Sequence, residues 1–240
     1  MTSKWNSQAY LAAHAALPKH RLGHLLELAD QSDIDSDLRR SAIIEAASRR
    51  PISARVSPHV KSLLWSNDCG DIRAGASAAR ELGQRAAWAF PRIERLLMDV
   101  ASPHAADRRK FHRWREYGAA GMAEPLCYAI VKVGGRRAAR NVLYRVTCRA
   151  SNFLVIYHAL ASIRETRPSR NDPAAIPAML KLMTNRDERH RLQGMIYFYL
   201  NPAVPRAIPI LRRLAASKSA PDRTPAAKLL ERVRDACGQS

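Results

Sequence analysis

The stretch DIRAGASAARELGQ, Asp71 to Gln84, decides how this chain is read. Its small residues suit either a glycine-rich phosphate cradle or a tightly packed helix. A phosphate loop of the GxxxxGK[ST] type follows a strand, and the surrounding sequence has neither that motif nor a strand pattern. Ile72, Ala76, Ala79 and Gly83 instead recur at three- and four-residue spacing, which is the stripe of a helix face. Ala, Gly and Ser along such a stripe allow a neighbouring helix to approach closely. Gly83 is placed to end the helix.

The same pattern returns outside this stretch. Leu38, Ala42, Ile43 and Ala46 form an equivalent stripe, and Asp37-Leu-Arg39, Asp71-Ile-Arg73, Asp107-Arg-Arg109 and Asp187-Glu-Arg189 each read as the opening of a second helix. Asp222-Arg223 is a looser copy. Upstream of most copies stands an apolar helix marked by proline: SPHVKSLLW, FPRIERLLM, EPLCYAIV, IPAMLKLM and IPILRRLA. Proline is tolerated in the first helical turn, so it marks a start. Alternating apolar and polar residues and Asn-Gly or Asp-Gly hairpins, the signals of strands, are nearly missing. A helix pair recurring every roughly 35–45 residues is the mark of a helical solenoid. The pattern resembles HEAT repeats, with the best units at 57–83 and 90–118. That resemblance implies an all-α, right-handed solenoid of about six helix pairs with a basic concave face. It also implies that the Asp and Arg of each second helix join neighbouring repeats. One domain over 1–240 is expected, with 1–20 as an N-terminal capping segment and 118–161 as an irregular central repeat around GGRRAARN.

Composition narrows the function. A hydrophobic share of 47% suits a folded chain. Lys and Arg number 40 against 21 Asp and Glu, a net charge of +19, with a pI near 10.7. Such an imbalance points to a polyanion, an anionic membrane surface or an acidic protein. Arginine greatly outnumbers lysine, which suits bidentate phosphate contacts and stacking on bases. Cys69, Cys127, Cys148 and Cys237 are scattered without a CxxC pair, which argues against a zinc ribbon and fits a reducing compartment. His20 and His24 are one turn apart with no further ligand to complete a set, so neither a metal nor a cofactor is expected. No run reaches membrane-spanning length, and the N-terminus reads poorly as a signal peptide. The expectation is a cytoplasmic monomer.

The chemistry-bearing residues gather in the centre. From Arg108 to Arg149 there are eleven Lys and Arg, opposed only by Glu116 and Glu124. Arg109, Lys110, Arg113, Arg136, Arg137, Arg140, Arg145 and Arg149 are the candidates for contact with a nucleic-acid backbone. Trp114, Tyr117 and Trp65 are candidates to stack on a base, although a tryptophan at helical spacing also serves a core. Glu116 sits beside Trp114 and Tyr117, where a carboxylate could stabilise a developing positive charge. It could equally pair with His112 or Arg113 on its own helix.

A basic, all-helical solenoid of this size is similar to the HEAT-like-repeat alkylpurine DNA glycosylases. The resemblance implies a concave face gripping duplex DNA, tryptophans at the damaged nucleotide and an acidic residue assisting cleavage of the N-glycosidic bond. The family's central stretch has Asp four residues after Trp, whereas here Trp114 is followed at that spacing by Gly118. Glu116 is the nearest substitute. WSNDCGD supplies a second set, Trp65, Asp68 and Asp71. The altered motif suits an unusual or bulky modified base, in DNA repair or in defence against phage with modified DNA. The competing reading is a non-catalytic HEAT adaptor holding nucleic acid, DNA or RNA, or an acidic protein.

Overall fold

Every regular element among the described residues is a helix. The computed structural model describes residues 8–102, 118–168, 172–217 and 222–238. The α-helices are α1 (Gln8–Ala16), α2 (Leu22–Asp30), α3 (Ser36–Ser48), α4 (Ser57–Trp65), α5 (Cys69–Leu82), α6 (Phe90–Val100) and α7 (Gly118–Gly134). They continue with α8 (Arg136–Arg149), α9 (Phe153–Glu165), α10 (Ile176–Met183), α11 (Glu188–Leu200), α12 (Ile208–Ala215) and α13 (Arg223–Ala236).

The helix starts follow local chemistry. Asp35 accepts from the N–H groups of Asp37 and Leu38 at the start of α3, and Asp68 accepts from the Asp71 N–H at the start of α5. Asn152 and Asp187 cap α9 and α11 in the same way. Each side chain satisfies donors that an N-terminal turn leaves open. Pro58, Pro91, Pro177 and Pro209 occupy the first positions of α4, α6, α10 and α12. Pro125 departs from this rule. It lies inside α7, which begins at Gly118, because the apolar stripe from Met122 through Ile130 runs across it. Burying that stripe outweighs the single lost N–H bond.

Packing is pairwise and sequential: α2 with α3, α4 with α5, α6 with α7, α8 with α9, α10 with α11, and α12 with α13. The second helices also pack on one another, α3 on α5, α5 on α7, α7 on α9 and α11 on α13. The first helices form a parallel series, α4 on α6, α6 on α8 and α8 on α10. One buried cluster runs through these contacts from Leu17 to Val233 and includes Ile72, Ala76 and Ala79 from the opening stretch. A Cβ at Gly75 would stand 2.8 Å from the Leu64 backbone nitrogen. Small residues there let α5 seat against α4. Gly83, with φ of 60°, ends α5 as its C-cap. The stretch is a packed helix with no phosphate cradle.

Charged ties link one pair to the next. Arg40 Nε of α3 donates to Asp71 Oδ1 of α5 at 2.7 Å. Arg140 Nε of α8 stands 2.7 Å from Asp172 Oδ2, ahead of α10, as an ion pair without a well-aligned hydrogen bond. Arg191 of α11 donates to Asp222, the N-cap of α13. The arginine that reaches Asp71 is therefore Arg40, one residue beyond the Arg39 expected from spacing.

Candidate nucleic-acid interface

Helix α8 sorts its arginines by face. Ala139, Val142, Leu143 and Val146 are buried, which leaves Arg137, Asn141, Arg145 and Arg149 along one exposed edge at four-residue steps. Arg136 is exposed beside them. Arg145 pairs with Glu94 of α6, and Arg140, on the inner side, pairs with Asp172. Arg136, Arg137 and Arg149 have no ion pair or hydrogen-bonded side-chain partner among the described residues. From Arg137 to Arg149 the edge spans roughly 18 Å at 1.5 Å per residue. At one phosphate per 3.4 Å of strand, that is the length of about five phosphates of a nucleic-acid strand.

An aromatic pair lies on the other side of α6. Trp65 ends α4 with 47% of its surface exposed, and its ring centroid is 6.3 Å from that of Trp88. The Arg92 guanidinium is 5.6 Å and the Lys61 ammonium 6.0 Å from the Trp65 ring. Arg92 Nε also donates to the Leu64 carbonyl at 3.0 Å, fixing α6 against the end of α4. Thus α6 reaches the tryptophan pair through Arg92 and α8 through Glu94. Exposed indole faces bracketed by cations are chemically suited to stacking and phosphate contact.

The two described carboxylates of the candidate catalytic set have structural partners. Asp68 Oδ1 caps α5 and accepts from Arg40 at 2.5 Å. Asp71 accepts from Arg40 and, at 2.8 Å, from the Ser66 hydroxyl. Arg109, Lys110, Arg113, Trp114, Glu116 and Tyr117 lie outside the described residues. Glu124, the other acid of the basic segment, borders a notch of about 150 Å³ with Arg73, Arg80 and Tyr128.

Sequence reasoning brings Trp65 forward but does not join it to Trp88, Lys61 and Arg92. Lys61 is legible as the residue one helical turn before Trp65. The approach of Trp88 and Arg92 depends on how α6 packs on α4, which local sequence does not encode. Among the described residues no helix is long and apolar enough to cross a membrane, and no group of three His, Cys, Asp or Glu is arranged to hold a metal ion. No protein-family model matches the chain, and comparison with curated proteins finds no match.

Proposed function

We propose that this chain is a HEAT-like solenoid that binds double-stranded DNA and acts as a DNA glycosylase on a modified base. The observation that carries the binding part is the exposed edge of α8. There Arg136, Arg137 and Arg149 lack protein partners among the described residues, while Arg140 and Arg145 are neutralised internally. In a protein of net charge +19, leaving these cations unpaired, two at one end of α8 and one at the other, adds to self-repulsion unless a polyanion neutralises them. The Trp65–Trp88 pair supplies stacking surfaces on the same series of helices.

Binding is tested by the salt dependence of DNA affinity. Replacing Arg136, Arg137 and Arg149 together by Ala is expected to make the slope of log K against log salt shallower. The change should be about 0.9 for each phosphate that the variant no longer neutralises. Arg140→Ala is expected to lower the melting temperature and leave that slope unchanged. A slope identical in the triple variant and the parent would remove α8 from the interface.

The catalytic part rests on Glu116, since Asp68 and Asp71 already serve Arg40 and the α5 cap. In this reaction a carboxylate faces the cationic sugar as the N-glycosidic bond breaks, as in glycoside hydrolysis. Glu116→Gln is expected to preserve melting and DNA affinity while reducing base excision by about 10²–10³-fold. The measurement is alkaline cleavage at abasic sites after incubation with a panel of modified DNAs. If the parent releases no base from any of them, the non-catalytic adaptor is the better reading.

A further inference from the structure

Among the described residues, the regular contact between second helices lapses once. Helices α9 and α11 lack the side-by-side packing that α5 has with α7 and α7 has with α9. The gap is a groove of about 330 Å³. Leu160, Ile163 and Arg164 of α9 form one wall, Ile196 and Leu200 of α11 the other, and Tyr144 and Met179 lie at its base. At the N-terminal end of the two helices, the Phe153 ring stacks on His190 at 4.7 Å.

The rim is apolar where it should be polar. Tyr157 is 50% exposed, Ile196 60% and Leu200 55%, and Leu154 and Tyr199 extend the surface along the same two helices. Contiguous exposed side chains of this size around a recess mark a binding surface rather than scattered surface apolar residues. Among the described residues, the one charged side chain that lines the recess is a cation, and a second cation lies beyond it. Arg164 lines it, and Arg232 lies over the Tyr199 ring at 4.6 Å on the far edge of α11. Glu165, the adjacent carboxylate, is turned to Lys132 at 4.0 Å. The side-chain oxygens of Gln193 and Asn201, which also border the groove, are buried without a hydrogen-bond partner among the described residues.

The geometry points to an amphipathic helix with acidic flanks, from a different protein, as the occupant of this groove. From Gln193 to Leu200 the α11 wall is roughly 10 Å long, about two helical turns. That length takes apolar anchors at i, i+3 or i+4, and i+7, the helix-in-groove mode. Arg164 and Arg232 favour carboxylates beside those anchors. A second copy of this chain is disfavoured because it would set +19 against +19. A lipid surface is disfavoured because the apolar side chains border a recess between two helices rather than projecting from one convex face. This surface is separate from the α8 edge, so it stands or falls independently of DNA binding.

The test is selection of a displayed library of random 14-residue peptides on the folded full chain. The expected result is enrichment of sequences with apolar residues at helical spacing and Asp or Glu at the remaining positions. Synthetic copies of the enriched peptides should bind at least about tenfold more weakly to Ile196→Asp/Leu200→Asp. Arg164→Glu/Arg232→Glu should weaken the same peptides and tolerate versions with Lys in place of Glu. Ile196→Asp/Leu200→Asp alters exposed positions and should keep the parental melting curve, while Arg232 Nε also donates to the Tyr199 carbonyl at 3.1 Å, so Arg164→Glu/Arg232→Glu is assayed below its own melting transition. The inference is overturned by any of four outcomes: no enrichment that depends on Ile196 and Leu200; enrichment of basic or non-helical sequences; dimerisation of the chain that disappears in Ile196→Asp/Leu200→Asp; or co-sedimentation with phosphatidylglycerol vesicles that disappears in that variant.

Discussion

Arg40 lies among three carboxylates: it donates to Asp71 at 2.7 Å, to Asp37 at 2.8 Å and to Asp68 at 2.5 Å. Burial disfavours its charge. The bonds to Asp71 and Asp37 and the fields of Asp71 and Asp68 outweigh that, so its pKa is held above the ordinary arginine value. Asp71→Ala removes one arm of the cluster and the Ser66 bond, and is expected to lower stability by roughly 1.5–3 kcal/mol. Arg40→Met leaves the carboxylates facing one another without their cation and should be the more damaging change in the same denaturant titration. An Asp71→Ala protein that melts like the parent but no longer excises bases would transfer Asp71 to the reaction. His190 carries a second expectation at this scale. It is 1% exposed, and neither ring nitrogen is hydrogen-bonded among the described residues. Burial lowers its pKa, and the nearby charge of Asp187 only partly opposes this. The unfolded chain therefore binds the proton more readily than the folded one. Stability is full above the unfolded value of about 6.5 and falls as pH drops through it towards the lower folded value. Melting temperatures between about pH 7.5 and pH 5.5 should decline less in His190→Leu than in the parent. Superimposable declines would refute this role for His190.

Between elements, two glycines stand close against the backbone of a neighbouring helix. A Cβ at Gly75 would stand 2.8 Å from Leu64 N, and one at Gly194 would stand 2.8 Å from Met179 O and 3.0 Å from Met183 N. Both lie on the second helix of a pair, against the first. Intrinsic helix preference favours Ala over Gly by about 1 kcal/mol, yet backbone cannot move aside as a side-chain tip can. Gly75→Ala and Gly194→Ala are therefore expected to destabilise, by roughly 1–3 kcal/mol. Gly23→Ala in α2, with nothing within 4 Å of its Cβ, should be neutral or slightly stabilising. Chemical denaturation of the three variants checks the contrast. An equal gain in all three would mean that α4–α5 and α10–α11 are looser than these distances require. The helical class is legible because the stripes of α3 and α5 are local periodicities, and helix starts because caps and first-turn prolines act within a few residues. Pro125 reads wrongly as a start because a proline inside a buried helix looks the same in sequence as one at its first turn. The Trp65–Trp88 pair and the α9–α11 groove are not legible, since each depends on which helices meet. Sequence likewise groups Arg136, Arg137 and Arg140 together. Only packing separates Arg140, paired with Asp172, from the other two.

Across the whole molecule, the lapse between α9 and α11 divides an otherwise continuous chain of contacts. The helices from α10 to α13 join the preceding ones chiefly through α8 with α10, and Asp172 lies at that junction. Asp172 is 8% exposed and pairs with Arg140 at 2.7 Å. It accepts from the Tyr144 hydroxyl at 3.4 Å and from the Ala174 N–H at 3.1 Å, and its carbonyl accepts from the Tyr197 hydroxyl at 3.0 Å. Burial raises the Tyr144 pKa and the charge of Asp172 raises it further, so the phenol stays protonated as a donor to the carboxylate. When contacts run mainly between neighbours along the chain, stability is a sum of local terms and interfaces, and the weakest interface defines where the molecule opens first. We therefore expect native-state hydrogen exchange to show α10–α13 opening together at a lower free energy than α4–α7. Asp172→Ala should speed exchange in α10–α13 and leave α4–α7 near their parental rates, because the junction fails before either side does. A peptide selected for the α9–α11 groove should have the opposite effect and slow exchange in α10–α13, since it bridges the two sides. If exchange instead rises uniformly from α2 to α13 in Asp172→Ala, the chain unfolds as one cooperative unit and the groove is a surface feature with no bearing on how the molecule is coupled.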